Sequence, residues 1–369
     1  MSRKIPVAVV TGFLGSGKTT LLGRLLDLCG QEEGRTPSRA GAMPAPNRIV
    51  LLTADAAGSL ALHGRILVMA DELALSASGC ACCGVRGELA DALRSLFMDA
   101  LQRRIEGFSH VLIETSGLAD PAAIMYTLQY EPFLRDRYEY AGCIAVIDGM
   151  RGESDLASQP EAARQAVLAD ALVISKVGRD EGAGCESLRA SLLEINPGAP
   201  VLPAVQLPEI AALMFGARAL SRPRRLPGAR MDTGLWAGGG LRRASKRTVH
   251  AGIHVLAAQW PDAPPRGAFL RAIDVLQTDS ELGLLRLKGQ MRFAGDGRTW
   301  MVHGVHGQLY PMEVMEEGMD RAPGELIMIF RPAAGQIAAD RVMSILPAGA
   351  RLLSSGSNSG TQAVAMKAP

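Results

Sequence analysis

The chain predicts an α/β fold: a doubly wound, mostly parallel sheet followed by a smaller α+β domain. Three observations carry this. Short apolar runs alternate with helical stretches through residues 1–205. A glycine-rich segment, GFLGSGKT, follows the first run and opens the first helix. Beyond a basic, Gly-rich stretch, the pattern becomes strand-like runs around a single helix. Strand–helix alternation is the signature of a parallel sheet covered on both faces.

The elements follow in order. IPVAVV (5–10), RIVLL (48–52), HVLIE (110–114), CIAVID (143–148) and ALVIS (171–175) are continuously apolar and read as doubly buried strands. TTLLGRLLDL reads as the first helix. Residues 85–105 read as another, with Leu89, Leu93, Leu96 and Leu101 on one face. GQEEGRTPSRAGAMPAPN (30–47) is polar and rich in Pro and Gly, the composition of a loop. We divide the chain into a first α/β domain (1–210), a basic Gly-rich linker (211–248), an α+β domain (249–345) and a Ser/Gly-rich disordered tail (346–369). In the second domain HAGIHVLAA alternates, GAFLRAIDVLQ is helical, and LGLLRLKGQMRF, TWMVHGV and GELIMIF read as strands.

Bulk properties narrow the function. With 369 residues the chain is too long for one ordinary core. Hydrophobic residues make up 48% and aromatics only 4%, so the core is aliphatic. A formal net charge of +2 argues against electrostatic nucleic-acid binding. No apolar stretch is long enough to span a membrane, and the N-terminal apolar run enters a Gly-rich loop instead of a cleavage site. The six cysteines do not form a secreted disulfide pattern, so a cytoplasmic location is expected.

GFLGSGKT matches the phosphate-binding pattern G-x-x-x-x-G-K-[ST], in the strand–loop–helix context the motif requires. Gly12, Gly15, Ser16 and Gly17 would let backbone N–H groups curl around phosphate oxygens. Lys18 would reach the β- and γ-phosphates, the Thr19 hydroxyl would hold Mg²⁺, and Thr20 continues the helix N-terminus. VLIETSG supplies Glu114 at a strand end, suited to attend the metal, and Gly117, whose N–H can sense a γ-phosphate. VISKVGRD offers Ser175 and Lys176 for a nucleotide base. Guanine-specific sites carry [NST]-K-x-D, but Gly178 stands in place of the Asp, and Asp180 lies two residues on. These residues by themselves leave GTP and ATP both open.

Cys80, Cys82 and Cys83 sit together in SGCACCGVRGEL. Spacing alone leaves a metal site, a redox pair and buried structural thiols open. Thiolates suit Zn²⁺, and Co²⁺ can share such a site. The helix that follows and Arg86 would favour thiolate. His250 and His254, and His303 and His306, read as polar strand and turn residues; His63 is the better ligand candidate.

TGFLGSGKTTLL, GCACCGVRGEL, IETSGLADP and VISK together resemble the CobW-like GTPases, as do LRLKGQMRF and VHGVHGQLYP in the second domain. The resemblance covers about residues 5–332. It implies GTP and Mg²⁺ binding, slow GTP hydrolysis, and a divalent metal held by the Cys-x-Cys-Cys thiolates, zinc in many members and cobalt in those of the cobalamin pathway. It implies delivery of that metal to a client metalloprotein or metal-inserting complex. A homodimer is compatible with it. Lys18 and Glu114 take the catalytic roles, and Thr19 and Glu114 those at Mg²⁺. The chain departs from the family in its first switch. There DAAGSLALH (Asp55 to His63) carries Ala56 and Ser59 at acidic positions and His63 at an Asp. Two other functions stay in view: a nucleotide-binding regulatory module with little turnover, and an ATP-dependent phosphoryl transferase, for which no second-substrate signature is visible.

Overall fold

A computed structural model describes residues 4–31, 44, 48–53, 66–68, 84–177, 182–215, 253–305, 308–315, 324–333, 335, 337 and 339–352. The first part of the chain runs β1 (Ile5–Thr11), α1 (Lys18–Gln31), β2 (Ile49–Thr53), β3 (Ile66–Val68), α2 (Gly84–Leu101), β4 (His110–Glu114), α3 (Pro121–Tyr130), α4 (Pro132–Arg137) and β5 (Tyr138–Asp148). It continues with α5 (Gly152–Ser158), α6 (Pro160–Leu168), β6 (Ala171–Ser175), α7 (Gly182–Ile195), β7 (Val201–Pro203) and α8 (Leu207–Phe215). The described strands form one sheet in the order β3-β2-β4-β1-β5-β6-β7, and every pairing in it is parallel.

Alternation within the apolar runs explains why both faces are covered. Val7 and Val9 enter a core with α2, α3 and α6, while Ala8 and Val10 enter another with α1 and α8. Successive strand side chains point to opposite faces, so a run with no polar interruption buries both. The order of connection reverses at β1, which opens a crevice at the carboxyl ends of β1, β4 and β5.

The second part runs β8 (His254–Trp260), α9 (Arg266–Thr278), β9 (Leu284–Phe293), β10 (Asp296–Val305), β11 (Gln308–Leu309), β12 (Glu313–Val314), β13 (Gly324–Phe330), α10 (Ala339–Ile345) and β14 (Arg351–Leu352). Its antiparallel sheet has the order β11-β10-β9-β13-β8-β14, with β12 on β10. One face packs α9 through Leu287, Met291, Phe293, Phe269 and Ile273. The other face meets the first domain: Leu285, Val305 and Ile329 join the core that holds Ala166, Val167 and Leu168 of α6.

Several expectations are corrected. Helix α2 stops at Leu101, where Arg103 takes the left-handed φ of 59° that ends a helix. Leu101 is 65% exposed, off the buried face of Leu89, Leu93 and Leu96. Strands β3 and β7 are three residues each, too short to stand out in the sequence. Helix α8 continues past residue 210, burying Leu213, Met214 and Phe215 on the first sheet. Arg351 and Leu352, placed in the tail, pair with β8.

Candidate functional site

The loop between β1 and α1 sits at the crevice. Gly12 has φ +144°, and a Cβ there would collide with the Val146 carbonyl oxygen and come within 2.7 Å of Ser16 Oγ. Gly15 and Gly17 also have positive φ, 72° and 91°. Only glycine takes such a path cheaply, and the path is what curls the N–H groups inward. Lys18 Nζ donates to the carbonyls of Gly12 (2.9 Å) and Phe13 (3.3 Å), folded over the loop it would vacate for phosphate. Thr20 is exposed at the start of α1.

Pairing of β1 with β4, Val10 opposite Glu114, brings the second motif alongside. Thr19 Oγ1 donates to Glu114 Oε1 at 2.6 Å, and Thr53 Oγ1 donates to Glu114 Oε2 at 3.1 Å. Glu114 is 2% exposed. Thr53, at the end of β2, is a neighbour the sequence did not indicate. Thr115 Oγ1 donates to Thr11 Oγ1 at 2.9 Å, locking the ends of β4 and β1 together. Gly117 lies against the phosphate loop: a Cβ there would meet Leu14 Cδ2 at 2.5 Å and Leu14 N at 2.7 Å.

The third motif closes the other side. Ser175 Oγ donates to the Ser16 carbonyl at 2.5 Å and to that of Ile147 at 3.2 Å. Lys176, with a left-handed φ of 57°, pairs its Nζ with Asp148 Oδ2 at 2.7 Å. Burial works against the charge on Asp148. The hydrogen bonds from Lys176 and from the Met150 and Arg151 amides outweigh it and hold the carboxyl below its usual range. Asp148 ends the run CIAVID, a position from which sequence reading could have drawn it.

The cradle fits a magnesium–nucleotide. The Ser16 and Ser116 hydroxyls are buried with no hydrogen-bond partner among the described residues, and both belong to the loops that meet at Gly117. Buried hydroxyls without partners are rare unless a ligand supplies one. Thr19 and Glu114 supply the hard oxygen donors that Mg²⁺ takes.

The structure thus brings Gly12, Gly15, Ser16, Gly17, Lys18, Thr19, Glu114, Gly117, Ser175 and Lys176 into one site. The thiols Cys80, Cys82 and Cys83, the segment Asp55 to His63, and Gly178, Asp180, His250 and His306 lie outside the described residues. His254 Nε2 is 3.0 Å from the Gly335 carbonyl oxygen, and His303 is buried.

The profile described as CobW/HypB/UreG, nucleotide-binding domain, matches residues 6–203, more than half of the chain. The chain belongs to this family. The profile of the cobalamin synthesis protein cobW C-terminal domain matches residues 255–344. The chain is 30% identical over 198 residues to the zinc chaperone YjiA of Escherichia coli strain K12, covering 53% of this chain and 56% of that protein. It is 34% identical over 149 residues to the zinc chaperone CobW of Pseudomonas aeruginosa, covering 39% of this chain and 36% of that protein. The matches therefore span about half or less of these relatives' length. The crystal structure of Zn(II)-bound YjiA GTPase from E. coli superposes with a TM-score of 0.61 at 20% identity, over 93% of this chain and 98% of that one. That likeness shows the shared fold of both domains. Among the described residues no helix is long and apolar enough to cross a membrane.

Proposed function

We propose that this chain is a GTP-dependent metallochaperone of the cytoplasm. It binds a divalent metal through Cys80, Cys82 and Cys83 and couples slow GTP hydrolysis to release of that metal to a client metalloprotein or metal-inserting complex. Zinc, the metal in the relatives' names, is the first choice of cargo, and cobalt the second. The observation that carries the reading is the contact of Thr19 with Glu114 at the mouth of a glycine cradle, at 2.6 Å.

Each residue then has a task. The loop amides from Gly12 to Lys18 bind the phosphates, and Lys18 leaves the Gly12 and Phe13 carbonyls to neutralise their charge. Thr19 and Glu114 would hold Mg²⁺, which when bound would supply positive charge beside the phosphates. Gly117, packed against Leu14 of the phosphate loop, would offer its N–H to the γ-phosphate. Ser175 keeps the base side of the site fixed to Ser16. Water adds to the γ-phosphorus, the bond to the β-phosphate oxygen breaks, and GDP and phosphate leave. The first unit holds this chemistry, and the second, described from residue 253, docks on it.

The test measures Zn²⁺ and Co²⁺ affinity with GTP, with GDP and with no nucleotide, alongside single-turnover hydrolysis. The expected result is metal affinity that changes with the nucleotide and is lost in the Cys82→Ser/Cys83→Ser variant. Equal metal affinity in that variant removes the metal half of the proposal. Tight GTP binding without hydrolysis under any metal favours a regulatory module instead.

A further inference from the structure

Helix α6 joins the nucleotide site to the second domain. In its C-terminal half Gln165, 1% exposed, donates from Nε2 to the carbonyls of Gly117 (3.1 Å) and Ala119 (3.0 Å). Its Oε1 is buried with no partner among the described residues, so those two donations are the hydrogen bonds that orient the amide. Beside it, Arg164 Nη2 pairs with Asp120 Oδ2 at 3.0 Å. Asp120 in turn caps α3 by accepting from Ala122 N. The loop from Gly117 to Asp120 is therefore tied to α6 by two adjacent side chains.

The carbonyls that follow Gln165, at the C-terminal end of α6, are held from outside the helix. A helix leaves its last carbonyls without intrahelical partners. Here Asn196 Nδ2 donates to the carbonyls of Ala166, Val167 and Ala169 at 2.9, 3.1 and 2.9 Å. Arg286 of β9 donates from Nη1 to the carbonyls of Val167 (3.3 Å), Leu168 and Ala169 (2.8 Å). Its Nη2 pairs with Asp170 at 2.6 Å. The second domain therefore grips the last turn of a helix nine residues long, immediately after the residue that holds the Gly117 loop.

We propose that Gln165 is a positioning residue for GTP hydrolysis: it sets the Gly117 loop, and α6 transmits the seating of the second domain on Arg286 to that loop. This rests on the reading of Gly117 as the γ-phosphate contact. A nucleotide-driven shift of the loop pulls on α6 and on the docked sheet, and a change in that docking acts back on hydrolysis by the same connection.

The test uses the full chain with Gln165→Leu, Arg286→Lys and Met214→Ala, the last a core variant on the opposite face of the first sheet that reports simple destabilisation. Two quantities are read: kcat and KM for GTP, and amide hydrogen exchange of residues 115–120 in nucleotide-free protein. Gln165→Leu is expected to lower kcat about tenfold with KM changed less than about threefold, and to speed loop exchange. Arg286→Lys is expected to speed exchange in the same loop without touching it. Met214→Ala should move neither. The proposal is overturned if Gln165→Leu leaves loop exchange as in wild type, or if its loss of kcat is matched by Met214→Ala. A wild type that does not hydrolyse GTP removes the functional reading, while the exchange measurement still decides whether Gln165 holds the loop.

Discussion

Arg286 Nη2 lies 2.6 Å from Asp170 Oδ1, and the two side chains are 2% and 0% exposed. The pair bridges the two domains, and the second oxygen of Asp170 is also satisfied. Asp170 Oδ2 accepts from Tyr140 Oη at 2.9 Å and from Cys143 N at 3.0 Å, and Lys288 Nζ stands 3.5 Å from Oδ1. Burial opposes the charge on Asp170, but Arg286 and Lys288 outweigh it and hold the carboxyl well below the usual range. Removing one partner strands the other charge away from water. Arg286→Met is therefore expected to destabilise the protein by about 3–5 kcal/mol, read as a lower midpoint in urea unfolding. A loss within experimental error of an exposed control would refute this.

His303 provides a pH test of the same junction. It lies on β10 opposite Lys288, stacked on Tyr310 at a centroid distance of 4.9 Å, with Asp170 and Arg286 nearby. Burial pushes its pKa down to about 3, with Asp170 opposing that shift and Arg286 and Lys288 adding to it. The unfolded chain takes up the proton near pH 6.5, and the folded chain refuses it until about pH 3. Stability is thus complete above the unfolded value and declines as pH falls below it, by about 2 kcal/mol between pH 7 and pH 5. Asp170, whose pKa is depressed, loses its contribution only below about pH 4 and adds no slope in that window. His303→Phe keeps the stacking and removes the titration, so its stability should vary less between pH 7 and pH 5. Parallel curves for variant and wild type would show that His303 is not the source.

Glu114→Gln keeps the shape of the site and removes the charge. Its oxygen can still accept one of the hydroxyl bonds from Thr19 and Thr53, so the fold should hold. We expect single-turnover GTP hydrolysis to drop about 100-fold or more while GDP affinity stays within about threefold, because the lost charge matters most at the metal. Equal losses in binding and turnover would place Glu114 in a structural role only.

Gly117→Ala tests the contact between the two loops. Its methyl would press on Leu14 Cδ2 and on Leu14 N, and backbone cannot yield as a side-chain tip can. The expected outcome is a fall of about tenfold in affinity for a non-hydrolysable GTP analogue, with a smaller fall for GDP. Calorimetry showing the same loss for both nucleotides would contradict a γ-phosphate role for this loop.

The sequence alone determined the parts that depend on neighbours in the chain. GFLGSGKT needs only its own glycines to curl, and the preceding apolar strand to aim it. The runs IPVAVV, HVLIE and ALVIS are strands because their central residues are apolar toward both faces, and their carboxyl ends carry Lys18, Glu114 and Ser175 or lead into them. The pattern of LRLKGQMRF likewise suited a strand, but it gave no reason for Arg286 to be buried with Lys288 turned toward the same carboxylate.

The tertiary structure decided who meets whom across large separations. Gln165 is 48 residues from Gly117, and Arg286 is 116 from Asp170. No local pattern marks a polar residue as the partner of a distant one. A glutamine on an amphipathic helix and an arginine on an alternating strand look alike whether they face solvent or a buried carbonyl. Packing settles the difference, because a polar group shut away from water must find its partner in whatever element lies opposite. The motifs that bind nucleotide were local and therefore legible. The helix that ties them to the second domain was not, because its role exists only once both sheets have closed on it.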